Sequence, residues 1–360
     1  MTAGRRQFIA GLLATGLVPK PTWAEVGSPS YLSAAARPDG SYVLCGIDDD
    51  LNVTFQLPLP ARGHAAAAHP TRPEAVAFAR RPGTFAVVID CTTGAQRATL
   101  TAPAGWHFYG HGTFSQDGTL LYTTENHYDE GRGLIGVWDV AAGYTRVAEW
   151  SSGGVGPHDI KRLPGSDTLV IANGGIDTHP DSGRTKLNIP TMQPNLTYVA
   201  DGAITESVEL PSHMHKNSIR HLAVAADGRV AFGMQWQGDG PVETLAGHHR
   251  VGQEVVLLTA SSDRMRDMQG YVGSIAVSND SRTIAITSPR GGIVQFYDPE
   301  STRITGSCSL PDVCGIAANG TGFTLTSGAG ELAHLKSADV LSSMSTTMRW
   351  DNHLIVITEG

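Results

Sequence analysis

The sequence predicts an all-β protein, a single seven-bladed β-propeller, and three observations carry that prediction. The first is a short pattern that recurs as GHGTFSQDG (110–118), GPHDIKRLPG (156–165) and IRHLAVAADG (219–228), with a glycine seven residues after a histidine each time. The second is the register of looser copies, whose lead residues are Ser33, His64, Ser274 and Gly315. Together the seven lead positions are 31, 47, 47, 63, 53 and 41 residues apart. Repeats of about 40–45 residues are the mark of propeller blades, each a four-stranded sheet. The third is local chemistry. Alternating apolar runs such as Thr168-Leu169-Val170-Ile171 suit half-buried strands, and Asp-Gly, Asn-Asp and Pro-Gly pairs suit the tight hairpins between them. One blade cannot bury both faces, so the blades must stack around a channel. A two-sheet sandwich has similar strands and turns but needs no in-register repeat of this length.

The blades are expected near 31–60, 63–103, 109–153, 155–211 and 218–268, with the last two starting at Ser274 and Gly315. Blade four carries a long insertion, 173–195, and blade five a second one holding His248 and His249. In a propeller the first strand of each blade lines the channel, so the lead residues should form a ring at its mouth. Both insertions should hang over that ring, since long loops in a compact fold are usually functional.

Residues 1–24 read as a leader, with the propeller domain over 25–360. Arg5-Arg6-Gln7-Phe8-Ile9 resembles a twin-arginine export signal, an apolar stretch follows to Val18, and Thr22-Trp23-Ala24 fits a small-residue cleavage site. The expected location is therefore the periplasm. No apolar run approaches the ~20 residues that span a bilayer. A net charge of −8 argues against a nucleic-acid partner. Cys45, Cys91, Cys308 and Cys314 are free to form disulfides in an oxidising compartment or to stay buried thiols, and their spacing fits no zinc motif.

Four consecutive blades have histidine in the lead slot: His64, His111, His158 and His221. Imidazole is the commonest ligand for iron, copper, zinc and nickel, and a metal needs several ligands converging on one point. A histidine that merely caps a strand is common, but four in one register slot point to one cavity and one ion at about 2.0–2.2 Å per nitrogen. His179 in the insertion, Glu125, Asp159 and Gln235 are candidates to complete or support the shell, and Arg220 to hold an anionic substrate or a carboxylate. His213 and His215 read as surface residues of a connecting loop. No Gly-x-Ser-x-Gly elbow, phosphate-binding glycine loop or Cys-x-x-Cys-His occurs.

The stretches YGHGTFSQDGTLLYTTEN, GVGPHDIKRLPG, IANGGIDTHPDSGRTKLNIPTMQPNLTYV and SIRHLAV resemble the bacterial propellers grouped as domain of unknown function 1513, over nearly the whole mature chain. That family is similar in outline to YVTN and quinoprotein-like propellers. The resemblance implies twin-arginine export, an imelysin-like periplasmic partner and a role in handling iron or copper. The blade-two copy, GHAAAAHP, departs from the pattern and leaves open whether His64 or His69 serves. Three functions fit: a periplasmic metal-binding protein, a metal-dependent oxidoreductase on the same site, or a metal-free interaction scaffold.

Overall fold

A computed structural model describes residues 21–80, 85–183 and 185–357. The twin-arginine segment, Arg81 and Arg184 lie outside the described residues. The chain forms seven antiparallel sheets, the blades that the repeat predicts. Blade two is typical, with Gly63–Ala68, Glu74–Ala79, Phe85–Asp90 and Gln96–Thr101 paired in sequence order. Burial falls from the axis outward: the second strand of blade two is almost wholly buried, whereas its fourth, QRATLT, is largely exposed. Apolar side chains gather into seven clusters, one in each seam between neighbouring blades. The seam between blades two and three, for example, packs Phe78 and Val88 against Phe108 and Trp138. Seven such seams close the circle and leave no seam without a core.

Blade one differs from the expectation. Its order is Arg349–Trp350, Tyr31–Ala36, Tyr42–Ile47, Val53–Leu59, so the innermost strand comes from the C-terminus and Ser33 lies on the second strand. Ala35 pairs with Trp350 and Leu32 with Ile355, and 351–354 bow out of the ladder between these contacts. Hairpin signals around Asp39-Gly40 look alike whether they join strands one and two or strands two and three. The C-terminal strand is what settles the register.

The lead residues sit at breaks in the inner ladder. Pairing shifts between Gly63 and Ala66, Phe108 and Gly112, Pro157 and Asp159, and Ile219 and His221. A bulge re-aims a side chain away from the regular alternation of a strand. Here it turns each histidine toward the axis.

The N-terminal turn Trp23–Val26 docks on blade two. Trp23 is buried, and its indole N–H donates to the His69 carbonyl at 3.0 Å. The folded part of the chain thus includes residues before Glu25. His69 itself is a hinge of packing between blades two and three. Its Nδ1 accepts from the backbone N–H groups of Thr71 and Arg72, each at 3.2 Å, and its Nε2–H donates to the Gly118 carbonyl at 3.1 Å. Gly118 has φ of +72°, and a Cβ there would lie 2.5 Å from the His69 ring, so the repeat's glycine is required twice over.

This arrangement needs neutral imidazole, because both Nδ1 contacts are donors. Burial first, and then Arg72, push the His69 pKa down to about 4. The folded value lies below the unfolded value of about 6.5, so the unfolded chain binds the extra proton between the two. The stability contributed by neutral His69 is complete above about pH 6.5 and is lost as pH falls toward 4. In His69→Asn, an amide oxygen can accept the same N–H groups without titrating. The drop in urea midpoint between pH 7 and pH 5 is expected to be smaller in this variant than in wild type. Equal drops would remove His69 as a source of acid sensitivity.

The blade-four insertion lies along the face instead of projecting from it. Ile176 and Thr178 are buried, and Asn188 Nδ2 donates to the Gly175 carbonyl at 2.9 Å. Toward blade three, His179 meets Asp129; toward blade five, the Lys186 ammonium donates to the Gln237 side-chain oxygen. The second expected insertion is mostly structural. His248 and His249 lie on Ala246–His249, the third strand of blade five, buried and bonded to the Pro299 and Gln253 carbonyls.

Candidate metal centre

Five imidazoles meet on the axis: His64, His111, His158, His221 and His353. Adjacent ring centroids are 5.0 Å apart for His64–His111, 5.1 Å for His111–His158 and 5.0 Å for His158–His221. His353 closes the group at 4.5 Å from His64, 4.6 Å from His111 and 5.2 Å from His221. Four of these histidines were expected from the repeat; His353 was not. It occupies the lead slot of blade one, on the innermost strand that the C-terminus supplies. Ser33, expected in that slot, donates its hydroxyl to the His353 carbonyl at 2.8 Å. Blade seven has Gly315 in its lead slot, where a Cβ would stand 2.7 Å from the Leu354 nitrogen and 2.9 Å from the His353 carbonyl carbon. The missing side chain makes room for the strand that carries the fifth ring. WDNH, 350–353, was the available signal, but with no following hairpin it did not look like a repeat.

One carboxylate and one carbonyl orient the rings, and a second carboxylate lies beside them. Asp159 Oδ1 lies 3.1 Å from His111 Nδ1, and Asp159 is itself held by the backbone N–H groups of Ile160 and Leu222 at 2.8 and 2.9 Å. Burial pushes the Asp159 pKa up, but Lys161, His111 and the Leu222 N–H together hold it below the usual carboxylate range. As an ionised acceptor it fixes the hydrogen on His111 Nδ1 and leaves Nε2 a lone pair. His158 Nδ1 donates to the Arg220 carbonyl at 2.8 Å, which likewise directs the Nε2 lone pair inward. Asp351 lies 3.8 Å from His64 Nδ1, an electrostatic contact too long for a hydrogen bond. Burial raises the Asp351 pKa, and His64, Arg80 and Arg62 more than offset it.

Four of the five rings, those of His64, His158, His221 and His353, are held neutral. Burial lowers the His64 pKa to about 4 against the pull of Asp351, and burial followed by neighbouring positive groups takes His158 well below its ordinary value. His221 and His353 are lowered in the same way, burial being the main cause. Neutral imidazole is the form that binds metal. His111 Nε2, His353 Nε2, His64 Nδ1 and both nitrogens of His221 are buried without a hydrogen-bond partner. Leaving such atoms unsatisfied costs about 1–3 kcal/mol each, so a cluster of them calls for an explanation. Ligand nitrogens of His64, His111 and His158 lie within 4.8 Å of one another. At about 2.0–2.1 Å per bond, two ligands of one ion stand no more than about 4.2 Å apart. Small ring rotations suffice, and the donor set fits a metal.

The other candidates are placed elsewhere. Glu125 is fully buried inside blade three, where its carboxylate accepts from Arg146 at 2.9 and 3.0 Å and from Thr123 at 2.7 Å. Burial raises its pKa against both partners. It is a structural ion pair and not a ligand. Glu125→Ala would leave the Arg146 guanidinium only the exposed Glu149 carboxylate, 3.6 Å away, a change expected to cost about 3 kcal/mol. Chemical denaturation checks this, with Glu125→Gln expected to lose less; an unchanged midpoint in the alanine variant would refute it. Gln235 donates to the Val272 carbonyl at 3.2 Å and joins blade five to the next. His179 contacts Asp129, Asp181 and, with the two rings nearly perpendicular, Tyr128, and makes no ring contact with the five histidines. His213 is exposed beside Glu243, as a surface loop residue should be. All four cysteines are free. Cys308 is on the outermost strand of blade six and Cys314 on the innermost strand of blade seven, and they are not bridged. Burial pushes the Cys314 thiol up to about 12, and its Sγ–H donates to the Asp312 carbonyl at 3.1 Å.

The ring lies within the channel, not at its mouth. On the insertion side is a cavity of about 450 Å³ whose wall includes Gly63, Cys314, Asp351 and Asn352, residues just before the lead positions. On the other side is a cavity of about 440 Å³ whose wall includes Ala66, Gly112, Leu222 and Leu354, residues just after them. Lys186 belongs to the insertion side: burial, then the charges of Arg220 and Arg290, lower its pKa.

The chain matches the family model described as "Protein of unknown function (DUF1513)" over residues 57–357. No curated protein matches it. Among solved structures it is similar to hydrazine synthase of Kuenenia stuttgartiensis, with 14% identity and a TM-score of 0.60, over 88% of this chain and 96% of that one. At that identity the likeness shows the propeller fold alone.

Proposed function

The chain belongs to the DUF1513 family, and from that premise we propose that it is a metal-binding propeller holding one first-row transition ion on its histidine ring. His64, His111 and His158 are the core ligands, with His221 and His353 beside them. The observation that carries the reading is the buried group of unpartnered ring nitrogens on the axis. A neutral, all-imidazole donor set suits copper, zinc, nickel and iron, and the affinity order among divalent ions puts copper ahead of iron. When bound, the ion supplies Lewis acidity or a redox couple. The protein's part is to hold the rings, to fix their tautomers through Asp159 and the Arg220 carbonyl, and to keep bulk water away. Metal per chain in wild type and in the His111→Ala, His158→Ala double variant is the test.

A metal-dependent oxidoreductase is the second reading, favoured by the cavity of about 450 Å³ beside the ring, which is large enough for a small substrate. A third, the metal-free scaffold, follows if metal content is equal in wild type and the double variant. We place the protein in the periplasm, with an imelysin-like partner, on the strength of Arg5-Arg6 and the family resemblance. Replacing both arginines with lysine should keep the precursor in the cytoplasm; unaltered export would exclude the twin-arginine route. Among the described residues no helix is long and apolar enough to cross a membrane.

A further inference from the structure

The cavity on the insertion side is lined by four arginines, Arg62, Arg80, Arg290 and Arg349, and by only two acids, Asp312 and Asp351. That surplus of positive charge stands out in a chain of net charge −8. The guanidiniums are not equivalent. Arg62 and Arg80 share the buried Asp351 carboxylate, at 2.7 and 3.2 Å, and are fixed by it on one wall. Across the cavity, the Arg290 guanidinium lies 4.5 Å from the centroid of the Tyr271 ring. Among the described residues, no carboxylate comes within ion-pair distance of Arg290 or Arg349. Tyr271 is held in turn by Asn352 Nδ2, which donates to its hydroxyl at 3.4 Å. An arginine stacked on an aromatic face keeps its N–H fork free and preorganised.

We propose that this cavity binds a small multivalent oxyanion, through carboxylate or phosphate groups gripped by Arg290 and Arg349 and steered by Arg62 and Arg80. Planar, bidentate recognition of such groups is what guanidinium does best, and a volume of about 450 Å³ suits a ligand of a few charged groups. Solvated arginines on a convex rim would be the ordinary alternative, but these converge on one concavity. Asp351 is the wall shared with the histidine ring, so an anion here would sit next to a bound ion. The proposal does not require that ion.

The test is calorimetric titration of metal-stripped, desalted protein with citrate and, separately, with inorganic phosphate. Wild type should bind at least one of them, the tighter one naming the source of the oxyanion. The Arg290→Gln, Arg349→Gln variant should bind it about 10- to 100-fold more weakly. Both side chains are exposed, so its thermal transition should match wild type. The His111→Ala, His158→Ala variant should bind the anion as wild type does. No binding of either anion at about 10 mM, or equal binding in the arginine variant, overturns the proposal. Loss of anion binding only in the histidine variant also overturns it, by moving the anion onto the ring. Failure of the metal reading leaves these titrations unaffected, so the two ideas fall separately.

Discussion

Replacing His111 and His158 together with alanine is expected to abolish metal retention while leaving the propeller folded. His111 touches all four other rings, and its Nε2 is one of the unpartnered atoms on the axis. His158 has its tautomer fixed by the Arg220 carbonyl. With both gone, the group of three nitrogens within 4.8 Å is reduced to one. The fold has little reason to fail, because the seams between blades are held by apolar clusters that include neither residue. The metal-free double variant sheds one buried, unpaired nitrogen, His111 Nε2, worth about 1–3 kcal/mol, and loses the contacts of His111 to Asp159 and of His158 to the Arg220 carbonyl. These changes oppose each other, so its thermal midpoint should stay close to that of stripped wild type. Wild type alone should gain stability when the ion is added, as any ligand specific to the native state requires. Elemental analysis after native export, with melts before and after chelation, reads both effects. Equal metal in the two proteins would make the ring structural.

What the sequence disclosed about this site follows the repeat. The lead slots of blades three to five were readable because each is followed by a hairpin and its glycine, as His111 is by Asp117-Gly118 and His221 by Asp227-Gly228, and blade two was placed by the register they set. The number of blades was readable for the same reason. His353 was hidden, since its strand has no hairpin after it and completes a sheet that begins over 300 residues earlier. Ser33 took its place in the reading because its own hairpin is regular. Glu125 and Gln235 were drawn in by their position at strand ends, yet period-two alternation cannot say whether a polar side chain faces the axis or a neighbouring blade. The burial of Glu125 against Arg146 depends on packing across blade three. The arginine-lined cavity was not legible, since Arg62 and Arg80 of blade two, Arg290 of blade six and Arg349 of blade one meet only once the propeller closes. Asp159 was singled out from its place beside His158, but its partner is His111, one blade away. Neighbouring blades exchange their supporting residues, and a linear reading does not see across the seam.

Removing the C-terminal strand is expected to have the largest effect of any change in the chain. Truncation after Met348 strips blade one of its innermost strand, and with it the pairing to Ala35, Ala36, Tyr31 and Leu32. It also empties the seam between blades seven and one, where Trp350 is 2% and Leu354 5% exposed. Truncating a buried Trp to Ala costs about 3–5 kcal/mol and a buried Leu about 2–5, against a total stability of about 5–15 kcal/mol for a domain. Arg62 and Arg80 lose the Asp351 carboxylate as well. The truncated chain should lack a cooperative thermal transition and run as an aggregate on size exclusion. A point variant separates closure of the propeller from the chemistry of the ring. His353→Ala keeps the Trp350 and Leu354 contacts, so its midpoint should stay close to wild type, whereas its metal affinity should fall at least about tenfold. Wild-type affinity in His353→Ala would reduce His353 to a wall of the site. A truncated chain that still melts cooperatively would mean that six complete blades and three strands suffice to close the ring.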